Sequence, residues 1–123
     1  MLQLVALMLL SQQMLVPVAQ GEASFYTVAE NTPITASGEP MVDSLLTCAM
    51  REGEFGEYYL VVAENGNSVV CKLNDRGPFI DGRVIDLSRA AMRKLHPTAG
   101  LIDVKVYKIE ATGLLPELVL DGA

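Results

Sequence analysis

The sequence predicts a mostly-β domain: a small closed barrel of five or six short strands, with one short helix near the C-terminal end. Three observations predict it: several short runs in which apolar and polar residues alternate, an Asn-Gly pair between two of these runs, and a single Ala-rich segment. The chain has 123 residues, which fits one domain. A closed barrel suits this length because it leaves no strand edge exposed.

The predicted strands follow from local patterns. Residues 21–28 alternate with a period of two and form the first strand, and residues 45–50 form the second. The segment between them, 31–41, is rich in Thr, Pro, Ser and Gly, which predicts a long loop. The runs 58–63 and 68–73 flank the Asn-Gly pair, and they predict a hairpin because both residues of that pair tolerate positive φ.

The second arm of the hairpin runs into an Asn-Asp-Arg-Gly-Pro segment that ends at Pro78. Proline has no backbone N–H to donate, so the strand must end before it. Asp75 therefore lies at a strand end or in the following turn, where side chains commonly face a cleft. The alternative is an aspartate that only caps the turn.

A short helix is predicted near residues 87–95. Asp86 or Ser88 can cap its N-terminus, the Ala pair favours helix, and two basic residues complement the dipole at its C-terminus. Asp86 and Arg83 are accordingly given structural roles, as a helix cap and a buried ion pair. Alternating apolar residues that begin at Ile102 predict a final strand.

The N-terminal segment, residues 1–20, is typical of a removable secretory signal. Its apolar core is short for a membrane-spanning helix and normal for a signal, although it contains no Lys or Arg. The alternatives are a retained membrane anchor, which would give the protein its only membrane contact, and a helix of the domain. We expect a barrel over 21–110, an apolar tail over 111–123, and a secreted or periplasmic, cell-envelope location.

Composition argues against several partners. The net charge is -6 and tryptophan is absent, whereas nucleic acids and anionic membrane surfaces attract basic faces. Two cysteines and one distant histidine do not make a zinc set, so no metal and no cofactor is expected. We expect a monomer. In an oxidising compartment Cys48 and Cys71 can form one disulfide, and the alternative is two buried thiols that behave as small apolar residues.

Five segments stand in a fixed order along the chain: Gly21–Tyr26, Thr35–Glu39, Leu46–Ala49, Asn74–Phe79 and Gly82–Ser88. Together they resemble the rare lipoprotein A (RlpA) family, over about residues 21–109. Five blocks in the right order are far more specific than any one of them. The resemblance implies a six-stranded double-psi β-barrel.

The resemblance also implies a function. The family includes septal lytic transglycosylases, which cut the glycan strands of peptidoglycan, and members with no shown activity. Its two important acidic positions correspond to Glu39 and Asp75, and the place of its usual histidine is taken by Met50. A thioether can neither transfer a proton nor hold a charge, so we expect Met50 to fill the core.

A lytic transglycosylase needs a proton donor for the leaving oxygen and stabilisation of a cationic sugar ring. The sugar's own hydroxyl is then the nucleophile, so one carboxyl group can act first as acid and then as base. We predict this role for Asp75, with Glu39 either placing a like charge nearby or orienting the sugar. Tyr26, Thr47 and Arg76 are predicted substrate contacts, and we expect the Arg76 guanidinium to point away from Asp75.

In the alternative function, the barrel binds or loosens cell-wall polysaccharide without cleaving it, like the expansin and barwin relatives of this fold. Fold alone does not choose between the two. The carboxyl pair favours the enzyme, and Met50 favours binding alone. A position of Glu39 and Asp75 in one groove, within roughly 10 Å of each other, favours the enzyme. A secreted inhibitor has no sequence feature in its favour.

Overall fold

The computed structural model describes residues 16–30 and 33–110. In this part of the chain six strands close into a barrel, in the order β1-β5-β2-β4-β3-β6. The strands are β1 (Ala19–Tyr26), β2 (Thr47–Ala49), β3 (Tyr58–Ala63), β4 (Ser68–Asp75), β5 (Arg83–Ser88) and β6 (Ile102–Lys108). A short 3-10 turn (Val28–Glu30) follows β1, and one helix, α1 (Arg89–Leu95), follows β5. The predicted closed barrel with one short helix is confirmed.

Two pairs of strands are parallel, β1 with β5 and β2 with β4, and the other neighbours run antiparallel. Parallel neighbours cannot be joined by a tight hairpin, so the chain must cross over between them. The segment 33–46 is part of such a crossover, and hydrogen bonds from the N–H groups of Ala36 and Ser37 hold it against the end of β4. The predicted β3–β4 hairpin is confirmed, and Gly66 at its tip has a φ of 91°.

The element bounds differ from the sequence pattern in three places. β1 begins at Ala19, two residues before the expected start of the domain, and is paired there with β6. β4 continues to Asp75, and β5 is a strand that alternation did not identify. Residues 1–15 and 111–123, which hold most of the predicted signal and the tail, lie outside the described residues. In the ranges that are described, no helix is long and apolar enough to cross a membrane.

The barrel interior is a continuous apolar core to which every strand contributes. Its largest fully buried side chains include Leu73, Ile85, Leu87 and Met92. The Cys48–Cys71 disulfide lies in this core and joins β2 to β4, with 5.8 Å between the two Cα atoms. The predicted bridge is therefore confirmed.

Candidate functional site

The candidate site lies on the outer surface of β1, β5, β2 and β4, which we call the acidic face. One row of register partners crosses it: Ser24 pairs with Asp86, Asp86 with Ala49, and Ala49 with Asp75. Asp86 points outward because its neighbours on β5, Ile85 and Leu87, are fully buried in the core and side chains alternate along a strand. Four residues far apart in the sequence thus become neighbours.

Asp75 sits at the end of β4, under the 33–46 loop. Its Oδ1 accepts hydrogen bonds from the backbone N–H groups of Ala36 and Arg76, both at 2.9 Å. The loop is also tied to β4 by the N–H of Ser37, which donates to the carbonyl of Asn74 at 3.1 Å. Because both hydrogen bonds reach Oδ1, the orientation of the carboxyl group is set through that oxygen, and Oδ2 takes part in neither bond.

Glu39 is carried by the same loop, and it forms an ion pair with Lys72 of β4 at 2.8 Å. The hydrogen bond from Lys72 is the main cause that lowers the pKa of Glu39, and bonds to Asn74 and Ser37 lower it further. Both side chains are more than a third exposed, so solvent screens the pair and we assign it at most about 1 kcal/mol of stability. Glu39 is consequently a charged, counterbalanced carboxylate.

Tyr26 and Thr47 lie beside this row, and their hydroxyl groups share a hydrogen bond of 2.7 Å. Burial raises the pKa of Tyr26 to about 12; the bond to Thr47 opposes this, and the charges of Asp86, Asp75 and Asp43 add to it. The phenol is therefore neutral and lies within the field of three carboxylates. Both side chains are largely buried, so only their edges are available to a ligand.

Asp86 is the half-buried carboxylate of the acidic face, and the structural role predicted for it is wrong in part. Ser88, not Asp86, caps α1: its Oγ accepts a hydrogen bond from the N–H of Ala91 at 3.2 Å. The Asp86 carboxylate instead accepts a hydrogen bond from the Ser24 hydroxyl at 3.2 Å. Burial raises the pKa of Asp86, the Ser24 bond and the charge of Arg83 lower it, and the charge of Asp75 raises it.

Arg76 points away from Asp75, as predicted. Its guanidinium donates to the carbonyl oxygens of Gly53, at 2.7 Å, and Met50, at 3.4 Å, and lies 4.2 Å from the centre of the Phe55 ring. These contacts brace the segment that follows β2 and leave the guanidinium directed away from the carboxyl row. Met50 is 7% exposed and packs in the hydrophobic core, so the prediction that it fills the core is confirmed.

One polar atom beside the row has no partner. The side-chain carbonyl oxygen of Asn74 is buried without a hydrogen bond in the described part of the chain, while its side chain also interacts with Glu39. Among residues 16–30 and 33–110, no group of three His, Cys, Asp or Glu side chains comes close enough to hold a metal ion.

The acidic face does not coincide with the hollow of about 670 Å³ that lies over β6 and its neighbours. The lining of that hollow includes Glu64, Asp103 and Lys105 but none of Asp75, Asp86 and Glu39. In the ring of six strands β6 is opposite β2.

The structure thus places Asp75, Glu39, Tyr26 and Thr47 on one face and turns the Arg76 guanidinium out of it. Sequence reasoning missed two residues of this face, Asp86 and Lys72. For Asp86 a signal was present: Ile85 and Leu87 on either side of it have the spacing of a half-buried strand. For Lys72 the signal was its outward position in the second hairpin arm.

A family model described as lytic transglycolase matches residues 18–106. The chain belongs to this family. A family relative from Pasteurella multocida, named endolytic peptidoglycan transglycosylase RlpA, is 45% identical over 97 residues, which are 76% of this chain and 33% of the relative. The chain therefore spans about a third of the length of this curated relative.

Solved structures that resemble the chain show the fold. The Streptomyces papain inhibitor matches with a TM-score of 0.61 and 23% identity, over 75% of this chain and 94% of that one. A mutant expansin of Clavibacter michiganensis in complex with cellohexaose matches with a TM-score of 0.57 and 20% identity, over 74% and 50%. With these neighbours the double-psi β-barrel expected for the lytic transglycolase family is confirmed.

Proposed function

We propose that this domain cleaves the glycan strands of peptidoglycan as a lytic transglycosylase, with Asp75 acting first as acid and then as base. The observation that carries the proposal is the setting of Asp75 on the acidic face of a family member. Two backbone N–H groups fix its Oδ1, and Oδ2 is left for the substrate. A fixed carboxyl group is what proton transfer to a bound glycosidic oxygen requires.

In the proposed reaction this carboxyl group supplies both the acid and the base, and the sugar itself supplies the nucleophile. The Asp75 carboxyl gives its proton to the glycosidic oxygen, and the bond between that oxygen and the anomeric carbon breaks. The sugar's own hydroxyl then attacks the anomeric carbon, and its proton passes to the Asp75 carboxylate. The products are one free sugar end and one anhydro end, and Asp75 regains its starting state.

Glu39 has an auxiliary role in this proposal. Its charge is balanced by Lys72, so it is better suited to orient the sugar through hydrogen bonds than to act as a bare like charge beside Asp75. The edges of Tyr26 and Thr47 contribute substrate contacts on the other side of the row. Arg76 acts indirectly, by holding the segment that follows β2 through Gly53 and Met50.

An envelope location is part of the proposal. The disulfide between Cys48 and Cys71 is compatible with an oxidising compartment, and peptidoglycan lies outside the cytoplasm. We propose that the N-terminal segment, residues 1–20, directs export as a signal, and that the domain acts there as a monomer.

A second function has its own support. Met50 is in the core, where the family resemblance places a histidine, so the described acidic face has no imidazole at that point. An expansin with this fold binds cellohexaose. The alternative is therefore a barrel that binds or loosens wall polysaccharide without cutting it.

Digestion of purified peptidoglycan strands separates the two functions. We expect the protein to release fragments with anhydro ends, detected by mass spectrometry, and Asp75→Asn to lower the rate by at least about 100-fold because the acid is gone. Asp103→Asn is the matched control, since Asp103 is an exposed aspartate on β6, away from the acidic face. It should keep the wild-type rate.

Either outcome is informative. Strands that bind to the wild-type protein and sediment with it, but show no anhydro ends, would favour the non-catalytic function. Full activity of Asp75→Asn would remove Asp75 from the mechanism and leave the reaction without its proposed acid.

A further inference from the structure

A group of exposed apolar side chains lies beyond the end of β4, where neither the core nor the proposed reaction uses it. Phe79 is 78% exposed, and Phe55 and Ile80 are exposed as well. Single apolar residues scattered over a surface are ordinary, but a group of them beside a candidate site is typical of a binding surface. A ligand with a flat apolar face would match the two aromatic rings of this group.

The 76–82 loop carries Phe79 over one end of the acidic face. The loop leaves β4 after Asp75 and enters β5 at Arg83, and both strands are neighbours of β2. Since β2 runs parallel to β4 and antiparallel to β5, the end of β4 and the start of β5 lie at the same end of β2. Phe79 is four residues from Asp75, so their Cα atoms are within about 14 Å of each other.

Local contacts hold both aromatic rings close to the start of this loop. A Cβ atom at Gly77 would lie 3.4 Å from the Phe79 ring, so that ring folds back along its own loop. The Arg76 guanidinium lies 4.2 Å from the centre of the Phe55 ring. The two rings are therefore held next to the residues that immediately follow Asp75.

We propose that Phe79, with Phe55 as a lesser member, forms a stacking platform for a pyranose ring of the glycan strand, adjoining the bond that Asp75 cleaves. The C–H groups on one face of a pyranose ring carry partial positive charge, and the face of an aromatic ring is negative, so the two attract when they stack. Stacking also removes apolar area from water. The proposal rests on the proposed function and names a substrate subsite for it.

The platform complements the acidic face. The outward groups of that face are mainly carboxyl and hydroxyl groups, which can bind the edge of a sugar through its own hydroxyls but offer its flat face little apolar surface. A glycan strand with a glycosidic oxygen at Asp75 continues past that residue, because the strand is a polymer. The exposed Phe79 ring supplies the adjoining sugar unit with the apolar contact that the carboxyl row lacks.

Fluorescence tests the platform directly, because the chain contains no tryptophan. Phe79→Trp places a single indole there, in a protein that also carries Asp75→Asn so that strands bind without being cut. Titration with purified glycan strands should shift the emission to shorter wavelength and reach saturation, because stacking removes the indole from water. Leu101→Trp is the control: Leu101 is exposed and precedes β6, opposite β2 in the ring, so its emission should not change.

The contribution of the native ring is measured by binding and kinetics. Phe79→Ala should weaken binding of the strands by about 10-fold and raise the KM for anhydro-end formation by a similar factor. Its kcat should change by less than about 3-fold, because the ring contacts a sugar unit outside the reacting bond. Phe79→Tyr keeps the aromatic face and should stay within about 3-fold of the wild type. Phe55→Ala should have the smaller effect, since the Arg76 guanidinium already covers one face of that ring.

The outcomes separate this proposal from the function on which it rests. A wild-type protein that forms no anhydro ends, while Phe79→Trp still responds to strands, would defeat the proposed cleavage and leave the platform in place. An emission that strands do not change, or unaltered binding and KM in Phe79→Ala, would defeat the platform whatever the activity. A dimer on gel filtration that Phe79→Ala dissociates would assign the rings to a second copy of the chain and overturn the proposal.

Discussion

Two carboxylates lie on different sides of Asp75, and they differ in almost every physical respect. Glu39 stands on the 33–46 loop, exposed and paired with Lys72, and its pKa is lowered. Asp86 stands on β5, half-buried and bonded to the Ser24 hydroxyl, and its pKa is raised. The position in the fold, more than the residue type, therefore decides whether a carboxylate ionises easily or ionises at a cost in free energy.

The difference arises from how each segment is anchored. The loop meets β4 through backbone bonds and a solvent-exposed ion pair, so water stabilises any charge that it carries. β5 lies between β1 and β2 with its inward side chains in the core, so its outward carboxylate is partly removed from water.

The largest expected effect on stability comes from removing the Cys48–Cys71 disulfide, which joins β2 to β4. Replacing Cys48 and Cys71 together by Ala should lower the free energy of unfolding by roughly 3 kcal/mol, because the bridge closes a loop whose ends are 23 residues apart and so restricts the unfolded chain. Urea unfolding of the variant against the wild type measures it. An unchanged midpoint would mean that the β2–β4 pairing is held by packing alone.

The second prediction concerns the pH dependence of the free energy of unfolding, to which Asp86 and Glu39 contribute with opposite signs. The folded protein holds the proton of Asp86 more tightly than the unfolded chain does, because its pKa is raised. The contribution of Asp86 to stability is therefore present at low pH and lost as the pH rises through its folded pKa. Glu39 has the opposite sign: its lowered pKa stabilises the fold above its unfolded pKa, and this is lost on acidification.

Two variants test these signs. Asp86→Asn should be more stable than the wild type at neutral pH, and Glu39→Gln slightly less stable, by under about 1 kcal/mol. Unfolding measured between acid and neutral pH gives both slopes. A loss of stability in Asp86→Asn at neutral pH would contradict the assignment of Asp86 as a carboxylate kept charged at a cost.

The smallest expected effect concerns the ion pair on the loop side. Lys72→Met keeps the apolar stem of the side chain and removes its charge, so the pKa of Glu39 should rise towards its ordinary value. Stability should change by about 0.5 kcal/mol or less, because the backbone bonds of Ala36 and Ser37 still hold the loop. NMR titration of Glu39 and urea unfolding measure the two, with the exposed Lys105→Met as control. A large loss of stability would show that the ion pair anchors the loop.

Much of the fold was predictable because its elements have local causes. Alternation identified β1 and β6, the two runs on either side of the Asn-Gly pair identified β3 and β4 as a hairpin, and Ser88 was one of the two expected helix caps. β5 was not identified, because its short Arg-Val-Ile-Asp-Leu-Ser run stands directly before a helix and its last residues were interpreted as the helix start. Because of the same interpretation, Asp86 was assigned to the helix cap and not to the candidate site.

The sequence by itself determined most of the strands, the helix, and that Asp75 stands where a strand stops before Gly-Pro. These properties depend on a residue and its near neighbours, through alternation, capping and the missing N–H of proline. Only the tertiary structure decided that Asp75 shares Ala49 with Asp86 and that Lys72 neutralises Glu39. Register between distant strands is set by the packing of their inward faces, and burial, which separates the two carboxylates, exists only once the barrel has closed.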